Sequence, residues 1–167
     1  MEKRVFIIHG LAGNPGGGWK KWIRAELERR GFEVSSPQMP NADNPKMGEW
    51  LAKMREEVGQ PNEHCYFIGH SLGCIAALRY IEALNDSERI GGAVLVAGFS
   101  DDLGIAELKD FFPGPFDWAK IRGHCAHFAA IHSDNDRYVA LRYGNEFEEK
   151  LGAKLIVIRN KGHFSTR

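Results

Sequence analysis

The 167-residue sequence predicts a three-layer α/β/α domain built around a mostly parallel sheet of about six strands. Two observations carry this. Short, continuously apolar runs recur along the chain, and amphipathic helical patterns separate them. Continuous rather than alternating apolar character marks strands buried on both faces, and regular strand–helix alternation implies parallel crossovers. No internal repeat, low-complexity tract or linker breaks the rhythm, so residues 1–167 read as one domain.

Val5–His9 is the first strand, and Trp19–Arg30 follows it with Trp22, Ile23 and Leu27 at helical spacing. Phe32–Ser35 is a short second strand. Asn44-Pro45 opens a second helix, which carries Met47, Trp50, Leu51 and Met54 on one face. Tyr66–His70 is the third strand, and Leu72–Leu84 is its helix. Ala93–Ala97, Phe128–His132 and Leu155–Ile158 supply three more strands, with a helix at Tyr143–Leu151 between the last two. Gly98–Gly123 departs from the pattern and is expected to hold only short helices.

The bulk composition excludes several function classes. Lys plus Arg and Asp plus Glu both total 22, so the formal net charge is zero and no basic excess points to nucleic acid. No apolar stretch approaches the ~18 residues of a spanning helix, and the run before Gly10 is too short for a signal-peptide core. Cys65, Cys74 and Cys125 are few, odd in number and set in apolar surroundings, as expected of reduced thiols in a cytoplasmic protein.

Gly69-His70-Ser71-Leu72-Gly73 is the most informative segment. It joins an apolar run to an amphipathic helix, the context in which G-x-S-x-G forms a sharp turn presenting a serine hydroxyl. Side chains at Gly69 or Gly73 would collide with the neighbouring strand or helix. A serine hydroxyl becomes a useful nucleophile only when a base takes its proton, and that base needs a third group to hold it. Polar loops after the fifth and sixth strands supply both in the expected order. His132-Ser133-Asp134-Asn135-Asp136-Arg137-Tyr138-Val139 holds two candidate carboxylates, and Gly162-His163-Phe164 holds the candidate base. Asp136 is favoured over Asp134 because Asp-x-x-Val matches the usual hydrolase loop; Asp134 suits an Asx-type cap. Oxyanion donors are expected from the backbone of Leu72 and of Leu11, the latter in the loop after the first strand.

His9-Gly10, Gly69–Gly73, the Ser133–Val139 loop and Gly162-His163-Phe164 together resemble the α/β-hydrolase superfamily. More narrowly, nearly the whole chain resembles the small serine hydrolases of the retinoblastoma-binding-protein-9 and YdeN-like group, including Pro115-Phe116-Asp117-Trp118. The resemblance implies a compact fold without a large cap domain and Ser71, Asp136 and His163 as a triad. It implies carboxylesterase-like cleavage of a small ester, thioester or amide, with no cofactor and no metal. Retinoblastoma protein is bound in this group through Leu-x-Cys-x-Glu; Leu72-Gly73-Cys74-Ile75-Ala76 lacks the glutamate, so that partner does not carry over. Only four residues follow His163, where the superfamily continues into a final helix. That helix is expected to be missing or replaced.

His9, Gly10, His70, Phe111, Phe112 and Trp118 are candidate substrate-pocket residues, the aromatic ones serving equally well to pack their irregular segment. An exposed aromatic segment at 111–118 would instead favour a non-catalytic scaffold that binds a partner protein. Gly13–Gly18 is similar to a nucleotide loop in its glycines alone. Trp19 stands where a Walker lysine belongs and Lys21 where the hydroxyl belongs, so this loop is expected to border the cleft. His124, Cys125, His127 and His132 lack the spacing and the completing ligand of a tetrahedral metal set.

Overall fold

In the computed structural model, which describes residues 2–165, six parallel strands form a single sheet in the order β2-β1-β3-β4-β5-β6. The elements follow the predicted alternation: β1 (Arg4–Ile8), α1 (Lys20–Arg29), β2 (Glu33–Ser35), α2 (Met47–Val58), β3 (Cys65–His70) and α3 (Leu72–Glu82) make the first half. β4 (Gly92–Val96), α4 (Trp118–His124), β5 (Phe128–Ser133), α5 (Arg142–Leu151) and β6 (Lys154–Ile158) make the second, with a 3₁₀ turn at Ala106–Phe111.

The order reverses after β2-β1, so the chain leaves β1 in one direction and later strands add in the other. The crevice at that switch point, outside the carboxyl ends of β1 and β3, is where open α/β sheets place their sites. Both loops that matter begin there: the residues after Ile8 and the turn after His70.

The main core lies between the sheet and α2, α3, α4 and α5. Helix α3 is its centre, buried from Leu72 to Ile81, which is why its sequence is apolar nearly all round. Trp50 and Met54 of α2 and Phe147 of α5 fill the flanks. The opposite face is thin. Only α1 packs there, placing Ile23 and Leu27 against Val5, Ile7 and Val34. Beyond α1, Tyr66, Ile68, Val94 and Ala129 line an open groove, and the edge strand β6 exposes Ile156 and Val157.

Arg79 explains the irregular segment between β4 and β5. Its buried guanidinium donates to the carbonyls of Phe111 (3.0 Å) and Gly114 (2.6 Å), pairs with Glu82 at 2.7 Å and lies 3.9 Å from the centre of the Phe116 ring. Between the 3₁₀ turn and α4 the carbonyls of Phe111 and Gly114 find their donor in this one side chain. Among the described residues no helix is long and apolar enough to cross a membrane.

Candidate active site

Ser71 sits between β3 and α3 at φ 54°, ψ −121°, a conformation that non-glycine residues rarely adopt. Close packing imposes it. A Cβ on Gly69 would stand 2.6 Å from Cys74 N, and one on Gly73 would stand 2.2 Å from the Ile8 carbonyl oxygen. The Ser71 N–H donates to Val96 O at 2.9 Å, which pins the turn to the end of β4.

The structure brings Ser71, His163 and Asp136 together. His163 Nε2 is 3.0 Å from Ser71 Oγ, and its Nδ1 is 2.8 Å from Asp136 Oδ2. Asp136 Oδ1 accepts from the N–H groups of Tyr138 (2.8 Å) and Val139 (3.0 Å). Burial works against ionisation of this carboxyl, but the His163 ring and those two N–H groups outweigh it and hold it below the usual carboxylate range. Asp134 goes elsewhere. Its Oδ1 accepts from Asn160 N at 2.8 Å, while Lys161 N donates to Ser133 Oγ and Gly162 N to Asn135 Oδ1. Three hydrogen bonds thus lash the loop of His163 to the loop of Asp136.

His70 adds a fourth tie. Its Nε2 is 2.7 Å from the carbonyl oxygen of His163, so Nε2 carries the proton and donates. Burial lowers its pKa from 6.5 to about 4, only partly opposed by that hydrogen bond, so the ring is neutral near pH 7. His9 and His132 are pushed in the same direction, also chiefly by burial. These shifts make stability fall with acid. Below its unfolded value of 6.5 the unfolded chain takes a proton that folded His70 refuses until about pH 4. The unfolding free energy from urea titrations is therefore expected to drop between pH 6.5 and pH 4 by up to about 3 kcal/mol from His70 alone. A His70→Gln variant, which keeps a donor for His163, should show a shallower profile; an equal slope would count against this origin.

The loop after β1 passes directly over the serine. A Cβ on Gly10 would lie 3.0 Å from Ser71 Cβ, so only glycine leaves the approach clear. Among the described residues, neither the Leu11 N–H nor the Leu72 N–H has an acceptor. The latter is at the amino end of α3, where the helix dipole favours negative charge.

Four expected pocket residues, His9, Phe111, Phe112 and Trp118, are placed differently. His9 is wholly buried: its Nε2 accepts from Met39 N (3.0 Å) and its Nδ1–H donates to Gly10 O (2.8 Å). It shapes the loop from behind instead of lining the cleft. Phe111 is also fully buried, its ring edge-on to Trp50 at 5.5 Å. Phe112, Phe116 and Trp118 continue an aromatic chain to Phe147, and none of the 111–118 segment reaches the cleft at Ser71. Their apolar surface is spent on packing, and Phe111 and Phe116 offer no exposed face to a partner.

The cleft itself is a cavity of about 230 Å³ lined by Gly10, Leu11, the Gly13–Gly18 loop, His70, His163 and Phe164. It also receives Lys20, which the sequence did not single out; a lysine in the first turn of an amphipathic helix carries no signal of burial. Among the described residues no group of three His, Cys, Asp or Glu is placed to hold a metal.

Comparison with known proteins gives the family. A family model described as serine hydrolase matches residues 5–167. The chain is 33% identical over 165 residues to the YdeN protein of Bacillus subtilis (strain 168), covering 98% of this chain and 87% of that protein. It is 32% identical over 162 residues to the serine hydrolase RBBP9 of Rattus norvegicus, covering 92% and 84%. The crystal structure of the B. subtilis ydeN gene product superposes with a TM-score of 0.92, covering 97% of this chain and 88% of that one. Est1E from Butyrivibrio proteoclasticus shares the fold at a TM-score of 0.78 with 14% identity, covering 99% and 81%. With that agreement in sequence and fold across nearly its whole length, the chain belongs to the serine hydrolase family, in the small YdeN and RBBP9 branch of the α/β-hydrolases.

Proposed function

We propose that the chain cleaves a small carboxylic ester, or a related thioester or amide, through an acyl-enzyme formed on Ser71. The observation that carries this reading is one imidazole bridging a strained serine at 3.0 Å and a buried carboxylate at 2.8 Å. His163 Nε2 takes the Ser71 proton as Oγ attacks the carbonyl carbon. Asp136 holds Nδ1–H and stabilises the imidazolium that forms. The N–H groups of Leu11 and Leu72 receive the oxyanion, each such donor being worth about 3 kcal/mol in the transition state. The tetrahedral intermediate collapses as His163 gives its proton to the leaving group. Water, deprotonated by the same ring, then attacks the acyl-enzyme and restores Ser71.

A cavity of about 230 Å³ supports a substrate of modest size. A fluorophosphonate probe is expected to add its mass to Ser71 and to no other residue, and the Ser71→Ala chain should stay unlabelled. Short para-nitrophenyl esters should be turned over faster than long-chain ones. A folded chain that neither labels nor turns over any of these esters would overturn the reading.

A further inference from the structure

Lys20 lines the cleft at Ser71 yet has no part in acyl transfer. It opens α1 and is only 7% exposed. Lysines are seldom this buried unless paired, because an ammonium removed from water needs a compensating charge. Lys20 pairs with none: among the described residues it forms no ion pair and no side-chain hydrogen bond. Its stem is buried, but its Nζ is not fully buried, so the ammonium keeps contact with solvent where the residue lines the cleft. Its nearest compensation is the Trp19 ring, whose centre lies 5.8 Å from Nζ, and a cation–π contact at that range offsets only part of the cost. Burial draws the ammonium down from the usual lysine range with no carboxylate acting the other way.

The surroundings have the same character. No Asp or Glu is found among the described residues that line the cavity. Asn14 also faces it, with its Oδ1 taken by the Gly16 N–H at 3.0 Å, which leaves the amide nitrogen as a donor. Leu11, whose N–H has no acceptor among the described residues, lines the same space. The positive charge bears on His9 and His70 as well, adding to the burial that keeps both rings neutral. The cleft therefore presents donors and one uncompensated cation beside the serine.

We infer that Lys20 is a specificity residue that receives a carboxylate carried on the acyl or the leaving part of the substrate, so that small anionic esters are preferred over neutral ones of the same shape. This rests on the hydrolase reading above, and the cavity of about 230 Å³ confines the anionic group to a short arm near the scissile bond. A carboxylate there would gain a charge-assisted hydrogen bond and supply the missing counter-charge.

Two matched pairs test it: para-nitrophenyl hemisuccinate against para-nitrophenyl pentanoate for the acyl side, and meta-acetoxybenzoate against meta-acetoxybenzamide for the leaving side. In one pair kcat/KM should favour the anion by about tenfold or more. That ratio should fall towards one in Lys20→Met and be partly kept in Lys20→Arg. A ratio of one in both pairs, or one that Lys20→Met leaves unchanged, overturns the inference, while Ser71-dependent turnover of the neutral esters leaves the hydrolase reading standing. Binding gives a readout free of turnover. On the Ser71→Ala chain at constant ionic strength, monomethyl succinate should raise Tm and dimethyl succinate should not, and adding Lys20→Met should abolish the shift. Equal shifts from the two compounds, or none, would equally overturn it.

Discussion

Replacing Asp136 by asparagine is expected to lower kcat by about 10⁴-fold, with the chain still folded. The geometry explains why the loss is large and the structural cost small. The substituted amide keeps an Oδ1 to accept from the N–H groups of Tyr138 and Val139, so the loop retains its two turn hydrogen bonds. Facing His163 Nδ1 it presents an N–H where the carboxylate oxygen stood 2.8 Å away. The ring is then driven to the other tautomer, with a hydrogen on Nε2 pointing at Ser71, and it can no longer take the serine proton. Asp134→Ala is the matched control. It removes the acceptor for Asn160 N, a loop hydrogen bond worth about 1 kcal/mol, and should cost less than about tenfold in kcat. Rates on a short ester together with urea midpoints separate the two. Should Asp134→Ala lose the more activity, or Asp136→Asn keep full turnover, the assignment of the orienting carboxylate is wrong.

That pair of aspartates also shows what the sequence could and could not convey. The elbow was readable because its constraint is local: a strand, two glycines around a serine and a helix, all within a dozen residues. That the loops of Asp136 and His163 would meet near Ser71 was readable because the topology of a parallel sheet brings both to the same edge. The choice between Asp134 and Asp136 turned on how a seven-residue loop folds onto Asn160 and Gly162, a long-range contact that leaves only a weak trace in local sequence. Pocket walls were harder still. Phe111 and His9 have the residue types of a substrate site, but packing decides burial. Arg79 draws Phe111 inward, and Met39 and Gly10 take both nitrogens of His9. Lys20 shows the converse: an ordinary residue type in an extraordinary place. The helical layers were read correctly as alternation, while their unequal thickness, with only α1 on one face, follows from crossover geometry that hydrophobic periodicity does not encode.

Gly73→Ala is expected to be the most destabilising single methyl that this chain can receive at its active site. The added Cβ would stand 2.2 Å from Ile8 O, 2.7 Å from His9 O and 2.8 Å from Ile8 C. All three are backbone atoms, of β1 or of the residue just after it, and no rotamer change can relieve them. The start of α3 must move off the sheet instead, in a part of the core where Leu72, Cys74 and Ile75 are fully buried. A shift of that kind is expected to cost at least about 3 kcal/mol, read as a lower urea midpoint or as loss of soluble protein. Gly48→Ala, on the exposed side of α2 with nothing within 4 Å of the new methyl, should instead gain about 0.5–1 kcal/mol by removing unfolded-state freedom. Equal midpoints for the two variants would refute the packing argument. The same displacement reaches the chemistry, because Leu72 N–H and Ser71 move with the first turn of α3. Any Gly73→Ala protein that does fold should therefore label with fluorophosphonate far more slowly than Gly48→Ala. The close approach of α3 to β1 holds the serine at φ 54°, the turn on which the proposed nucleophile depends.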